Sequence, residues 1–254
     1  MRRIRAHTNA RAMTMPNKII DKPKLITFDL DHTLWNPDHA LQRGEAASYQ
    51  WLAEQVPVFA QTFSPDNFLA LRKQVWEQNP LLRNRVSEMR LTATRLALQQ
   101  LGISEKNAAA YAQAAFEVFW TRRQQVDIFE ETTALLQTLS RQYMLGAISN
   151  GNANLQVIGL AHFFQFHLAA DHFPQGKPAP DMFLAALQKA GVAAQEALHI
   201  GDHPQDDIQG AQAVGMKTLW VNLEHKPWPD TIAPPDFTVT ALAQIVPLLM
   251  QPMR

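Results

Sequence analysis

The chain has 254 residues, 46% of them hydrophobic and 18% charged, a globular composition that excludes a disordered or fibrous protein. Lys plus Arg equals Asp plus Glu at 23 each, so no overall field draws it to nucleic acid or to an anionic membrane. Cysteine is absent, which excludes disulfides, thiolate metal sites and thiol nucleophiles and fits a cytoplasmic protein.

No run approaches the roughly 20 apolar residues of a membrane span. Residues 1–22 carry Arg2, Arg3, Arg5, Arg11, Lys18 and Lys22 against Asp21. They lack the apolar centre of a signal peptide and read as a basic tail outside the fold, with Met13 or Met15 as alternative starts. Residues 25–28, Leu-Ile-Thr-Phe, form a short apolar run that ends at Asp29 and reads as a buried strand. From about residue 38 the period is helical. Ser64 before Pro65, and Ser104, are helix-start signals. Val86, Met89, Ala93, Ala97 and Leu101 make one apolar stripe, which Gly102 stops. Ala108, Ala112, Ala115, Phe116 and Phe119 make the next.

After residue 125 the period changes. Strands are predicted at 144–148, 166–170, 197–200, 217–221 and 237–239, and helices at 152–160, 180–190 and 206–214. This alternation implies βαβ units and a parallel sheet. The expected fold is α/β, a doubly wound Rossmann-like sheet. Residues 23–37 and 126–254 form its core domain, and 38–125 form an inserted all-helical domain.

In such a sheet ligands bind outside the carboxyl ends of the strands. There the sequence places Asp29, Asp31 and Thr33, then Ser149, Asn150 and Gly151, then Asp202, Asp206 and Asp207, with Lys177 in a loop between. Singly, each reads as a turn former, a cap or a surface residue. Together they suit phosphoryl transfer. A carboxylate attacks phosphorus, clustered hard oxygen ligands suit Mg²⁺, and a lysine and a hydroxyl neutralise and hold the phosphoryl oxygens.

These residues resemble the motifs of the haloacid dehalogenase-like hydrolases, in the family's order over about residues 24–222. Phe28-Asp29-Leu30-Asp31-His32-Thr33-Leu34 is similar to the first motif, Ser149-Asn150-Gly151 to the second, Lys177-Pro178 to the third, and Gly201-Asp202 with Asp207 to the fourth. The helical insertion resembles the C1 cap of subfamily I. His32 departs from the usual small or acidic residue. The resemblance implies that Asp29 is the nucleophile and a Mg²⁺ ligand. It implies that Asp31 is the general acid and then the base, its backbone carbonyl also on the metal, and that Thr33 orients the pair. Ser149, with the N–H of Asn150 or Gly151, would bind the phosphoryl group, and Lys177 would bridge it to the nucleophile. Asp202 would complete the metal ligands. Asp207, with Asp206 beside it, would hold Lys177 or metal-bound water.

Asp31 selects among reactions, because halide departure needs no proton and dehalogenases of this type typically lack that acid. The expected activity is a Mg²⁺-dependent phosphatase acting on a small-molecule phosphate ester. Motif spelling and cap size resemble the phosphatases of flavin mononucleotide and of the riboflavin precursor aminoribitylaminouracil phosphate. The rival enzyme is a phosphomutase; a phospho-receiver signalling domain fits less well, being shorter and carrying its acids on separate strands. Substrate contacts are expected from residues 35–39, Arg43, Arg83, Arg85 and Arg90; Trp35, Trp51, Trp76 and Trp120 read first as core residues of a small helical domain, with a stacking surface for a flat ring as the alternative.

Overall fold

A computed structural model describes residues 22–82 and 85–250; the basic tail up to residue 21 and Arg83 lie outside the described residues. Strand β1 (Leu25–Phe28) has every side chain buried, because a central parallel strand is covered on both faces. The chain then runs through β2 (Trp35–Asn36) into helices α1 (Asp38–Gln55), α2 (Pro57–Thr62), α3 (Pro65–Gln78), α4 (Val86–Gln100) and α5 (Glu105–Arg123). It returns through β3 (Asp127–Ile128), which pairs antiparallel with β2. Helices and strands then alternate: α6 (Thr132–Leu139), β4 (Met144–Ser149), α7 (Leu155–Ile158), β5 (Phe166–Ala169), α8 (Asp181–Ala190) and β6 (Ala197–Gly201). The remainder is α9 (Gly210–Ala213), β7 (Lys217–Val221), β8 (Phe237–Val239) and α10 (Ile245–Leu249).

The six-stranded sheet has the order β5-β4-β1-β6-β7-β8, and each neighbouring pair is parallel. The order runs outward from β1 in both directions, so the crevice for a ligand opens at the carboxyl end of β1. One apolar cluster holds Phe28, Leu136, Leu145 and Ile200 with α6 and α10. A second packs Leu25, Ile148 and Leu168 against Phe183 and Ala186 of α8. The helices α1 to α5 have a separate cluster around Leu52, Phe59, Phe68 and Leu98. Among the described residues no helix is long and apolar enough to cross a membrane.

The fold class is the one expected. Three local readings are corrected. The helix expected at 152–160 shrinks to α7, because the Asn154 side chain caps its start and Gly159 stops it at φ 90°. The helix expected at 206–214 opens instead with a π-helical turn, Pro204–Gln209, in which both Asp207 and Ile208 donate to the His203 carbonyl. Such wide turns recur at functional sites. The strands β2 and β3 were not expected; two residues each are too few to show a period.

Candidate active site

The carboxyl end of β1 continues its ladder, Asp29 N–H donating to the Ile200 carbonyl at 2.8 Å. The chain then turns tightly, with Leu34 N–H on the Leu30 carbonyl at 2.9 Å and His32 in the left-handed region at φ 60°, a conformation uncommon outside glycine. The turn brings Thr33 back under Asp29. Its hydroxyl lies 3.3 Å from Asp29 Oδ2 and 3.3 Å from Asp202 Oδ1, and so joins the ends of β1 and β6.

Lys177 is 1% exposed. Its ammonium donates to Asp29 Oδ1 at 2.6 Å, Asp207 Oδ1 at 2.5 Å and the Ile148 carbonyl at 2.8 Å. Asn150 holds the lysine's loop rather than offering its amide to the crevice. It accepts from Lys177 N–H at 2.8 Å and donates to the Lys177 carbonyl at 2.9 Å and to Asp206 Oδ2 at 3.3 Å. Ser149, buried at the end of β4, accepts from Gly151 N–H at 3.0 Å. Asp207 accepts from Lys177, from His203 N–H at 2.9 Å, and lies 3.3 Å from His199 Nε2. Gly201 permits this, because a Cβ there would run into the Asp207 carboxyl.

The electrostatics are unbalanced. Burial pushes Asp29 well above the usual carboxylate range, against the pull of Lys177 and with repulsion from Asp207 and Asp202. Burial, then repulsion from Asp207, raises Asp202 to about 7. Burial also raises Asp206. Asp207 is held low: burial opposes ionisation, but the Lys177 charge and the His199 contact outweigh it. Lys177 is held high by Asp207 and Asp29 in spite of its burial. Asp29, Asp202 and Asp207 each present an oxygen within 4.8 Å of the others. Three acids against one ammonium leave charge that a cation neutralises, and an all-oxygen donor set fits a hard divalent ion. Asp207 already serves Lys177 and His203, so Asp29 and Asp202 are the oxygens that fit such an ion.

Asp31 stands apart from these. Its carboxylate accepts from the Trp35 indole at 2.7 Å and from Arg123 Nη2 at 2.8 and 2.5 Å. Trp35 is therefore a buried residue that supports Asp31, in keeping with the core reading and not with a stacking surface. Trp51 packs against Tyr111 at 6.2 Å within the helices. Arg43 donates to the Gln125 carbonyl at 2.6 Å, Arg85 pairs with Glu88 at 2.8 Å, and Arg90 pairs with Glu45 and stacks 3.8 Å over Phe119.

A cavity of about 490 Å³ lies between α5 and the segment after Gly151, walled by Phe116 and Trp120 of α5, Phe164, Phe166, Asn152 and His167; none of the motif carboxylates lines it. Burial, then the neighbouring His172, pushes His167 down to about 4, so its ring is neutral at pH 7. Its Nε2 is buried without a partner.

The sequence reading missed Arg123, His199 and Trp35's hydrogen bond. Arg123 had a signal: it continues the buried stripe 108, 112, 115, 119 of α5, where a cation needs an acid. His199 likewise interrupts an apolar strand.

Residues 23–215 match the haloacid dehalogenase-like hydrolases. Over 228 residues the chain is 31% identical to the 5-amino-6-(5-phospho-D-ribitylamino)uracil phosphatase YigB of Escherichia coli strain K12, covering 88% of this chain and 95% of that protein. It is 34% identical to a Thermus thermophilus phosphoserine phosphatase over 59% of this chain and 61% of that one. A solved structure, described as a 2-haloacid dehalogenase from Pseudomonas syringae pv. Tomato DC3000, superposes with a TM-score of 0.83 at 40% identity, covering 89% of this chain and 98% of the other.

Proposed function

The chain belongs to the haloacid dehalogenase-like hydrolase family and is a phosphoric monoester hydrolase; on that premise we propose a Mg²⁺-dependent phosphatase that works through an aspartyl phosphate on Asp29, with α1 to α5 as the cap over the site. The observation that carries it is the Lys177 ammonium shared by Asp29 and Asp207 at 2.6 and 2.5 Å. It holds an anionic nucleophile in a buried site and still offers positive charge to an arriving phosphoryl group.

Asp29 attacks phosphorus as the bond to the leaving oxygen breaks, and Asp31 gives that oxygen its proton. Asp31 then takes a proton from water, whose oxygen attacks phosphorus and releases Asp29 and inorganic phosphate. Ser149 and the Asn150 backbone N–H hold the phosphoryl oxygens, and Lys177 keeps Asp29 placed. Asp29 and Asp202 are the side chains that would hold Mg²⁺, with the Asp31 carbonyl. The ion supplies charge that offsets the phosphoryl oxygens.

We assign the substrate to the phosphates of flavins and their ribityl precursors. This rests on the similarity to YigB and on the aromatic cavity, whose neutral His167 suits an uncharged polar ring. The dehalogenase description of the Pseudomonas structure favours a second reading, halide displacement. Asp31 weighs against it, since that chemistry needs no proton donor. A phosphate-release screen over sugar, nucleotide, flavin and amino-alcohol phosphates, with 2-chloropropionate as the halide arm, decides. Fastest release from a ribityl phosphate supports the assignment. Halide release without phosphate release rejects it.

Chelation is expected to stop turnover and added Mg²⁺ to restore it. Because burial raises both ligands, Asp29 well above the usual carboxylate range and Asp202 to about 7, the ion must displace protons from them at and below neutrality. Mg²⁺ affinity should therefore weaken by about tenfold or more per pH unit as pH falls through neutrality. Titration calorimetry at pH 6 and pH 8 checks both the slope and its sign.

A further inference from the structure

The buried stripe of α5 ends in Arg123, which is 1% exposed. A buried guanidinium is costly unless its donors find acceptors. Nη2 reaches both oxygens of Asp31, and Nε donates to Asn152 Oδ1 at 3.2 Å. Asn152 is itself fixed, donating to Ser87 Oγ at 3.1 Å. With the Trp35 indole on the other side, the Asp31 carboxylate cannot rotate without breaking several hydrogen bonds.

Its place is the catalytic one. A Cβ built on Gly151 would lie 2.6 Å from Asp31 Oδ2, 3.2 Å from Arg123 Nη2 and 3.3 Å from Ser149 Oγ, so those three groups converge on one point. Arg123 Nη1 is buried without a partner.

We propose that Arg123 is the positioning residue of the reaction: it holds the Asp31 carboxyl, which enters the first step protonated, where the leaving oxygen takes that proton, and it pairs with the carboxylate so formed, the base of the second step. The inference rests on the reading of Asp31 as acid and base. A lysine reaches Asp31 as a single point charge and lacks the Nε bond to Asn152, so it replaces Arg123 only in part.

The test compares kcat/KM, which reports steps up to the first irreversible one, on p-nitrophenyl phosphate and on the fastest alkyl phosphate of the screen. Only the alkyl ester needs a proton on its leaving oxygen. Arg123→Met should lose at least about tenfold more on the alkyl ester than on the aryl one, and Arg123→Lys should show a smaller bias of the same sign. Added to Asp31→Asn, Arg123→Met should change that ratio no further, because both act on one group. The ratio of two substrates on one preparation does not depend on how much of the variant is folded. Equal losses on both esters, or an undiminished extra bias in the double variant, would overturn the proposal and make Arg123 a structural residue. Absence of turnover on every ester by the unaltered protein would reject the phosphatase reading along with it.

Discussion

Asp29→Asn is expected to lower turnover by at least about 100-fold, ~2.7 kcal/mol of barrier, with the fold intact. The amide is a poor nucleophile and a weak ligand for a hard cation. Stability should not fall with activity. Asp29 is 8% exposed, and burial with repulsion from Asp207 and Asp202 already penalises its charge. Removing that charge forfeits the Lys177 ion pair but relieves the crowding of acids, and the amide has the same shape. Thermal unfolding of the chelated protein should show an unchanged or higher midpoint, while assays show the activity gone. Residual activity above about 1% of the unaltered protein would remove Asp29 from the nucleophile's role.

Lys177→Met should lose both stability and activity. Lys177 is the ammonium between Asp29 and Asp207, and taking one partner from a buried pair costs about 3–5 kcal/mol because the other charge stays buried. The pH dependence has a definite sign. In the unaltered protein Asp207 is held below its ordinary value, so its share of stability is present above the unfolded value and lost as pH falls towards the folded one. Without Lys177 the same carboxyl, buried and 3.3 Å from His199, should rise instead. The deficit should then shrink as pH falls from 7.5 to 5. Urea unfolding at the two pH values measures it, and a deficit under about 1 kcal/mol at pH 7.5 would mean the acids are neutralised by other means.

The strands that frame the site were legible because interior parallel strands are apolar on both faces and end abruptly in polar residues, as β1 does at Asp29 and β6 at Asp202. The stripe of α5 was equally plain up to Phe119. Its last member was not, because Arg123 meets Asp31 across 92 positions of sequence, and no local period carries such a pairing. The same holds for the chain from Thr27 through His199 to Asp207, which depends on register between β1 and β6. Trp35 was legible as a core residue, but only packing shows that its indole N–H is spent on Asp31. The π-helical turn after His203 depends on hydrogen bonds to one carbonyl and leaves no mark in residue type.

The aspartyl phosphate is tested most directly by rapid-mix kinetics of Asp31→Asn on p-nitrophenyl phosphate. The nitrophenolate leaves without a proton, so Asp29 should still be phosphorylated, whereas the water of the second step has lost its base. The account predicts a burst of one nitrophenolate per active site, then slow turnover, with the phosphoryl group recovered on the peptide that carries Asp29. Linear release with no burst, or a phosphoryl group on any other residue, would contradict it.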